Sequence, residues 1–213
     1  MKITTVARAA LVGASTLAVL SPLQATAAEA APGCTEKNIA YLDSQDQQED
    51  AEAKVTTTQQ ALDQATADRA TLDQTAEVGY KLFRSFNSGR LGYVYANSEP
   101  VMQKAGALYD AAEKHDPAAT ADAAVAEADA AQKAIDAMSD DDKKATHPLL
   151  LDSVRDWIKE LRSKAEAARK ATAAPDVEKR QAELDTAIAD KEKAAKAVRP
   201  ARDAYRDCLA NNG

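Results

Sequence analysis

The sequence predicts an all-α protein in which the first and last helices pair as a long antiparallel, coiled-coil-like hairpin, a stalk carrying a small helical head from the middle of the chain. Three observations carry this prediction. Residues 35–76 contain no proline or glycine and are rich in Ala, Gln, Glu, Asp, Lys and Leu, a composition that favours helix. Cys34 and Cys208 stand near opposite ends, where one bridge would join the first and last helices. Large side chains are scarce, yet six of the nine aromatic residues fall within Val78 to Tyr109, which concentrates the best core material in the middle.

A chain of 213 residues with 29% charged and 4% aromatic side chains suits a compact unit plus an extended element. Alanine buries little area, and at roughly 25 cal/mol per Å² an alanine face stabilises far less than a leucine face. The division expected is a signal peptide over 1–27, a first stalk helix over 35–76, a helical head over 77–174 and a second stalk helix over 176–209.

The start of the chain has the layout of an export signal: Lys2 and Arg8, then the apolar run Ala9 to Leu20, then small residues after Pro22. Cleavage after Ala27 is favoured over cleavage after Ala30. Removing residues 1–27 takes away two positive charges and no acids, so the formal net charge of −7 becomes −9. The expected location is therefore secreted or extracytoplasmic. No other stretch approaches the ~20 apolar residues of a transmembrane helix, and no basic block suggests nucleic acid or anionic lipid. In an exported chain a Cys34–Cys208 disulfide is the expected use of two cysteines, in preference to lipid attachment at Cys34.

The first helix shows a narrow seam of Ile39, Tyr41, Leu42, Val55, Leu62 and Leu72 with Ala51, Ala65 and Ala76. The seam vanishes over Ser44 to Asp50, which predicts solvation or fraying there. Asn87-Ser88-Gly89 is a helix stop. Arg90 to Tyr95 reads as an ordered loop, and Ser98-Glu99-Pro100 as a capped helix start. Asp116-Pro117 opens a helix to about Met138, whose apolar side is Ala121, Val125, Ala128, Ala131, Ile135 and Met138. Ser139 to Lys144 is a polar connection or single turn. His147-Pro148 then opens the most clearly amphipathic helix, with Leu150, Leu151, Val154, Trp157, Ile158, Leu161 and Ala165 on one side. Trp157 is the expected partner of the central aromatics. Pro175 predicts a break, and the last helix carries Val177, Leu184, Ile188, Ala195, Val198, Tyr205 and Leu209, with a bend at Pro200. Pairing Cys34 with Cys208 predicts an antiparallel register in which facing residue numbers sum to about 242.

No residue pattern specifies catalysis or a cofactor. His115 and His147 sit at helix boundaries without a ligand series, and Asp140 to Asp142 are consecutive and point in different directions, so no metal is expected. There is no GxSxG, and both cysteines are better used as a bridge than as a thiolate. Gly89 and Gly92 around Arg90 read as a plain turn in preference to an anion nest. The loop from Asn87 to Asn97 is the expected partner surface, with Arg90, Tyr93 and Tyr95 as its contacts; the competing role for the two tyrosines is core packing against Trp157. These readings predict an exported, non-enzymatic binding or structural module with an unidentified protein or envelope component as partner. The alternative is a helical bundle with a ligand pocket lined by Phe83, Phe86, Tyr109 and Trp157, or an enzyme without a recognisable motif.

Overall fold

The computed structural model describes residues 33–87 and 95–212, apart from the side chains of 95–97 and 212. The export-signal reading over 1–27, and cleavage after Ala27 or Ala30, lie outside the described residues. Within them the protein is all-helical, with α1 (Thr35–Asn87), α2 (Tyr95–Glu113), α3 (Pro117–Asp136), the short α4 (Asp140–Ala145), α5 (Pro148–Lys170) and α6 (Val177–Asn212). A single 3₁₀ turn, Ala174–Asp176, separates the last two. Among the described residues there is no strand.

Sequence chemistry accounts for most of these ends. The Asp116 carboxylate accepts from the Ala119 amide at 2.9 Å, and Pro117 fills the first helical position, where its missing N–H leaves no bond unmade. Ser139 caps α4 in the same way, accepting from the Asp142 amide at 3.1 Å while its hydroxyl donates to the Asp142 carboxylate. At the end of α2, His115 takes the left-handed conformation at φ 51°. Its amide bonds to the Ala112 carbonyl and the next amide, Asp116, to the Ala111 carbonyl, the pairing that usually employs glycine.

The α2 start differs from the expected cap at Ser98. The helix begins at Tyr95, so Ser98 and Pro100 lie inside it. Ser98 and Val101 are buried, and this packing holds an additional turn ahead of the proline at the loss of one backbone hydrogen bond.

Helices α1, α2, α3 and α5 form a bundle. Helix α2 packs on α1 and α3, α3 on α5, and α5 on α1. Its main core joins Val78, Leu82 and Phe86 of α1 to Val101 and Leu108 of α2, the alanines of α3, and Leu151, Val154, Ile158 and Leu161 of α5. Ion pairs Arg162–Asp129 at 2.9 Å and Arg169–Asp122 at 2.6 Å flank the α3–α5 contact. A second cluster, Leu72 with Ala121, Ala168, Ala171 and Ala174, lies where α5 ends. There the buried Asp68 carboxylate accepts from the amides of Thr172 at 2.9 Å and Ala173 at 3.0 Å, satisfying donors that the helix break leaves over.

Helix α6 then packs along the N-terminal part of α1. The Cys34–Cys208 disulfide closes this end, with Cα atoms 5.8 Å apart. The partners' numbers sum to 246 at the Tyr41–Tyr205 ring stack, 244 at Lys54–Asp190 and 247 at Arg69–Glu178. With Glu52–Lys191 at 243, the facing pairs lie one to five above the value of 242 taken from the cysteines. Cys34 precedes the first helical residue, so its partner does not report which helical residues face each other.

The burial pattern corrects the seam as well. Along α1 the residues turned inward recur every seven positions as Ser44, Ala51, Thr58, Ala65, Leu72, Gly79 and Phe86, accompanied by Tyr41, Gln48, Val55 and Leu62. Ile39 and Leu42 are about half exposed. In α6 the inward positions are Val177, Leu184, Lys191, Val198 and Tyr205 with Ala187, Ala194, Ala201 and Cys208, whereas Ile188, Ala195 and Leu209 face out. Residues 44–50 are helical and largely solvated, without the fraying that was one alternative. The Ser44 hydroxyl donates to the Tyr41 carbonyl at 2.6 Å, so a polar residue occupies the seam with its hydrogen bond made locally. Helix α6 continues through Pro200 without interruption.

Candidate functional site

The described aromatic residues divide between core and surface. Phe86 is buried, and Trp157 is half-buried against the cluster that contains it. Tyr80 and Tyr109, expected to strengthen the core, are 56% and 64% exposed. Their positions explain this: on each helix the tyrosine falls beside the buried stripe, next to Gly79 and Leu108 respectively. Of the four rings expected to line a ligand pocket, Phe86 and Trp157 pack in the core cluster, while Phe83 and Tyr109 line a surface groove.

That groove runs between α1 and α2. Ala76, Tyr80 and Phe83 form one wall and Met102, Ala105, Gly106 and Tyr109 the other, enclosing about 290 Å³. It adjoins a second depression of about 500 Å³ that shares Ala76, Tyr80 and Tyr109 and ends at His115. Tyr80 stacks on Phe83 with ring centroids 6.1 Å apart, and the Arg84 guanidinium lies 6.0 Å from the Tyr80 centroid. Acids rim one end of the groove: Asp73, Glu77 and Glu113 line the second depression, and Asp110 lies where the two meet, one turn before Glu113 on α2. Glu77 pairs with Lys81 at 3.1 Å, while Asp73, Asp110 and Glu113 make no ion pair among the described residues.

Beneath the groove lies an unusual carboxyl group. Glu127 of α3 is fully buried, and neither of its oxygens has a hydrogen-bond partner. Gly79 of α1 and Leu108 of α2 enclose it; a Cβ at Gly79 would sit 2.6 Å from a Glu127 oxygen and also collide with Leu108. Gly79 is what lets α1 approach α3 so closely. Burial pushes the Glu127 carboxyl up to about 8, with no charged neighbour contributing. At the surface of the α1–α6 contact, the bidentate hydrogen bonds from Arg69 hold the Glu178 carboxyl down to about 2, although Glu178 is open to solvent and screening keeps the pair's stabilisation small.

Of the expected partner-surface residues, Arg90 and Tyr93 lie outside the described residues. Tyr95 is the first residue of α2, and its side chain lies outside them also. No three His, Cys, Asp or Glu side chains among the described residues gather in a metal-binding arrangement. No helix among the described residues is long and apolar enough to cross a membrane.

The groove and Glu127 both had signals in the sequence that pattern reading passed over. Gly106 interrupts an otherwise good helix-forming stretch, and Glu127 lies three residues after Ala124 and four before Ala131, both of which are buried. No protein-family model, curated protein or solved structure matches this chain.

Proposed function

We propose that the protein is an exported, non-enzymatic binding or spacing module, in which the disulfide-clipped α1–α6 pair acts as a coiled-coil stalk and the four-helix bundle as a head displayed beyond it. The observation that supports this reading is the unequal distribution of partners along α1: its C-terminal part gathers α2, α3 and α5, and its N-terminal part has α6. At about 1.5 Å per residue, the 53 residues of α1 extend roughly 80 Å, several times the width of a helix pair. Small-angle scattering from the oxidised protein tests the shape. A radius of gyration well above the ~16 Å expected for a compact chain of about 186 residues supports the stalk, and a value near it removes the stalk.

The head's partner surface, in this proposal, includes Arg90, Tyr93 and Tyr95, where α1 is connected to α2. Rigid aromatics beside an arginine are the residue types that dominate binding energy at interfaces. A partner captured from the exported fraction should bind the Tyr93→Ala/Tyr95→Ala protein about 2 kcal/mol more weakly, with helicity and melting unchanged. A large fall in melting temperature would assign the two tyrosines to packing instead.

A further inference from the structure

We infer that the α1–α2 groove is a docking site for a basic amphipathic helix, whose apolar face lies on Phe83, Met102 and the two tyrosines and whose lysines or arginines reach the acids of the rim. The inference deepens the binding-module reading and rests on it only for the role of the head.

Gly106 carries the argument. It lies in the middle of α2, exposed, with ordinary helical backbone, and a Cβ there would meet no atom within 4 Å. Packing therefore does not require a glycine, in contrast to Gly79, and mid-helix glycine is among the least favourable choices for helix stability. What the missing side chain does is keep the floor open between Tyr80 and Phe83 on one wall and Tyr109 on the other. Ala76 and Ala105 extend the same low floor.

The chemistry of the walls and rim selects the occupant. Exposed tyrosines flanking an apolar channel offer area to a helix face that lies lengthwise between α1 and α2, in the manner of a helix seated in a hydrophobic groove. Asp110 and Glu113 make no ion pair among the described residues, and Asp73 has only an electrostatic attraction to Arg69, so the complementary partner is cationic. The cations already nearby are engaged elsewhere: Lys81 by Glu77, Arg84 over Tyr80, and Arg69 by the two hydrogen bonds to Glu178. A second copy of this chain is a poor occupant, since the protein carries a formal net charge of −7 and would bring acids against acids. An anionic lipid surface is disfavoured for the same reason.

The test is a titration of the oxidised protein with a fluorescent Leu/Lys amphipathic helical peptide of about 18 residues, roughly five turns. Two controls accompany it, a permuted peptide of the same composition without an apolar face and an analogue with Glu in place of Lys. Tighter binding of the Leu/Lys helix than of either control, by about tenfold or more, is expected. Gly106→Leu fills the channel from an exposed position and should weaken binding at least about tenfold without lowering the melting temperature. Tyr109→Ala should weaken it similarly, and Asp110→Lys/Glu113→Lys should abolish the preference over the Glu analogue. Equal binding of the permuted peptide, or unchanged affinity in Gly106→Leu, would reduce the groove to a nonspecific acidic surface and overturn the inference. Self-association or vesicle binding that Gly106→Leu suppresses, with no peptide binding, would overturn it in favour of those occupants. A compact radius of gyration together with groove-dependent peptide binding would remove the stalk and leave the groove standing.

Discussion

Raising the pH from about 5 to about 8 should lower the stability of the folded protein by roughly 3 kcal/mol, and Glu127→Gln should abolish most of that loss. The cause is the buried carboxyl of α3. In the unfolded chain it ionises near its ordinary value of 4.5, whereas in the folded protein burial holds the proton up to about 8. Between these two values the folded state binds more protons than the unfolded state, so stability falls as the pH rises. Below about 4.5 both states are protonated and the contribution is complete; above about 8 both are ionised and the penalty is constant. Gly79 and Leu108, which enclose the group from α1 and α2, carry no charge to offset it. Urea unfolding at the two pH values measures the effect. Parallel curves for wild type and Glu127→Gln, or a wild-type stability that does not fall over this interval, would show that water reaches the carboxylate. Glu178 acts in the opposite sense at lower pH. Its folded value near 2 makes its small contribution complete above about 4.5 and lost as the pH drops toward 2.

Loss of the Cys34–Cys208 bridge should cost about 5 kcal/mol, the loop-entropy figure for a link that spans 174 residues of sequence. The change should fall unevenly. Between the bridge and Asp68, the α1–α6 contact buries small or polar residues such as Ser44, Ala65 and Ala187, half-buries Thr58, and has Leu184 as a buried large side chain. Once the bridge is absent, α6 can separate from its free end while the four-helix core remains. Hydrogen exchange of the Cys34→Ala/Cys208→Ala protein should therefore show protection lost first over residues 35–60 and 185–212. Uniform loss across the chain, or a stability change below about 1 kcal/mol, would count against this account.

The helix ends were the most legible part of the sequence, because they are written in local chemistry. Asp116-Pro117, Ser139, His147-Pro148 and Pro175 each act within a few residues, and the structure places boundaries at all of them. What composition hid was the phase of the seams. Ile39 and Leu42 look like the natural start of an apolar stripe, but the inward face of α1 is set downstream by Leu72, Gly79 and Phe86 in the bundle core. Seven-residue periodicity carries that phase back to Ser44, leaving the two large residues outside. A narrow stripe of alanines and threonines has too little contrast to announce its own phase.

The same limitation governed the candidate site. Aromatic density pointed to Val78–Tyr109, and tyrosine near an α1–α2 boundary suggested a surface role; among the described residues Tyr80 and Tyr109 are the exposed tyrosines. Their exposure depends on one step of about 100° around each helix, finer than a count of aromatics can resolve. Glu127 was hidden for a different reason. In a chain this rich in acids, one carboxylate on an alanine face resembles any solvated residue until a third helix is placed over it.

The position of the disulfide also decides how the molecule bears load. Cys34 and Cys208 lie side by side at one end of the fold, and the whole helical assembly hangs as a closed loop behind them. Tension applied between the chain preceding Cys34 and the chain following Cys208 passes across the sulfur–sulfur bond, so no helix between the two cysteines is sheared or unzipped by it. The oxidised protein is in this direction a covalent link of nearly fixed length, with its bundle mechanically bypassed. Reduction would convert the same link into an extensible one, because the pull would then act directly on the α1–α6 contact and release its residues one turn at a time.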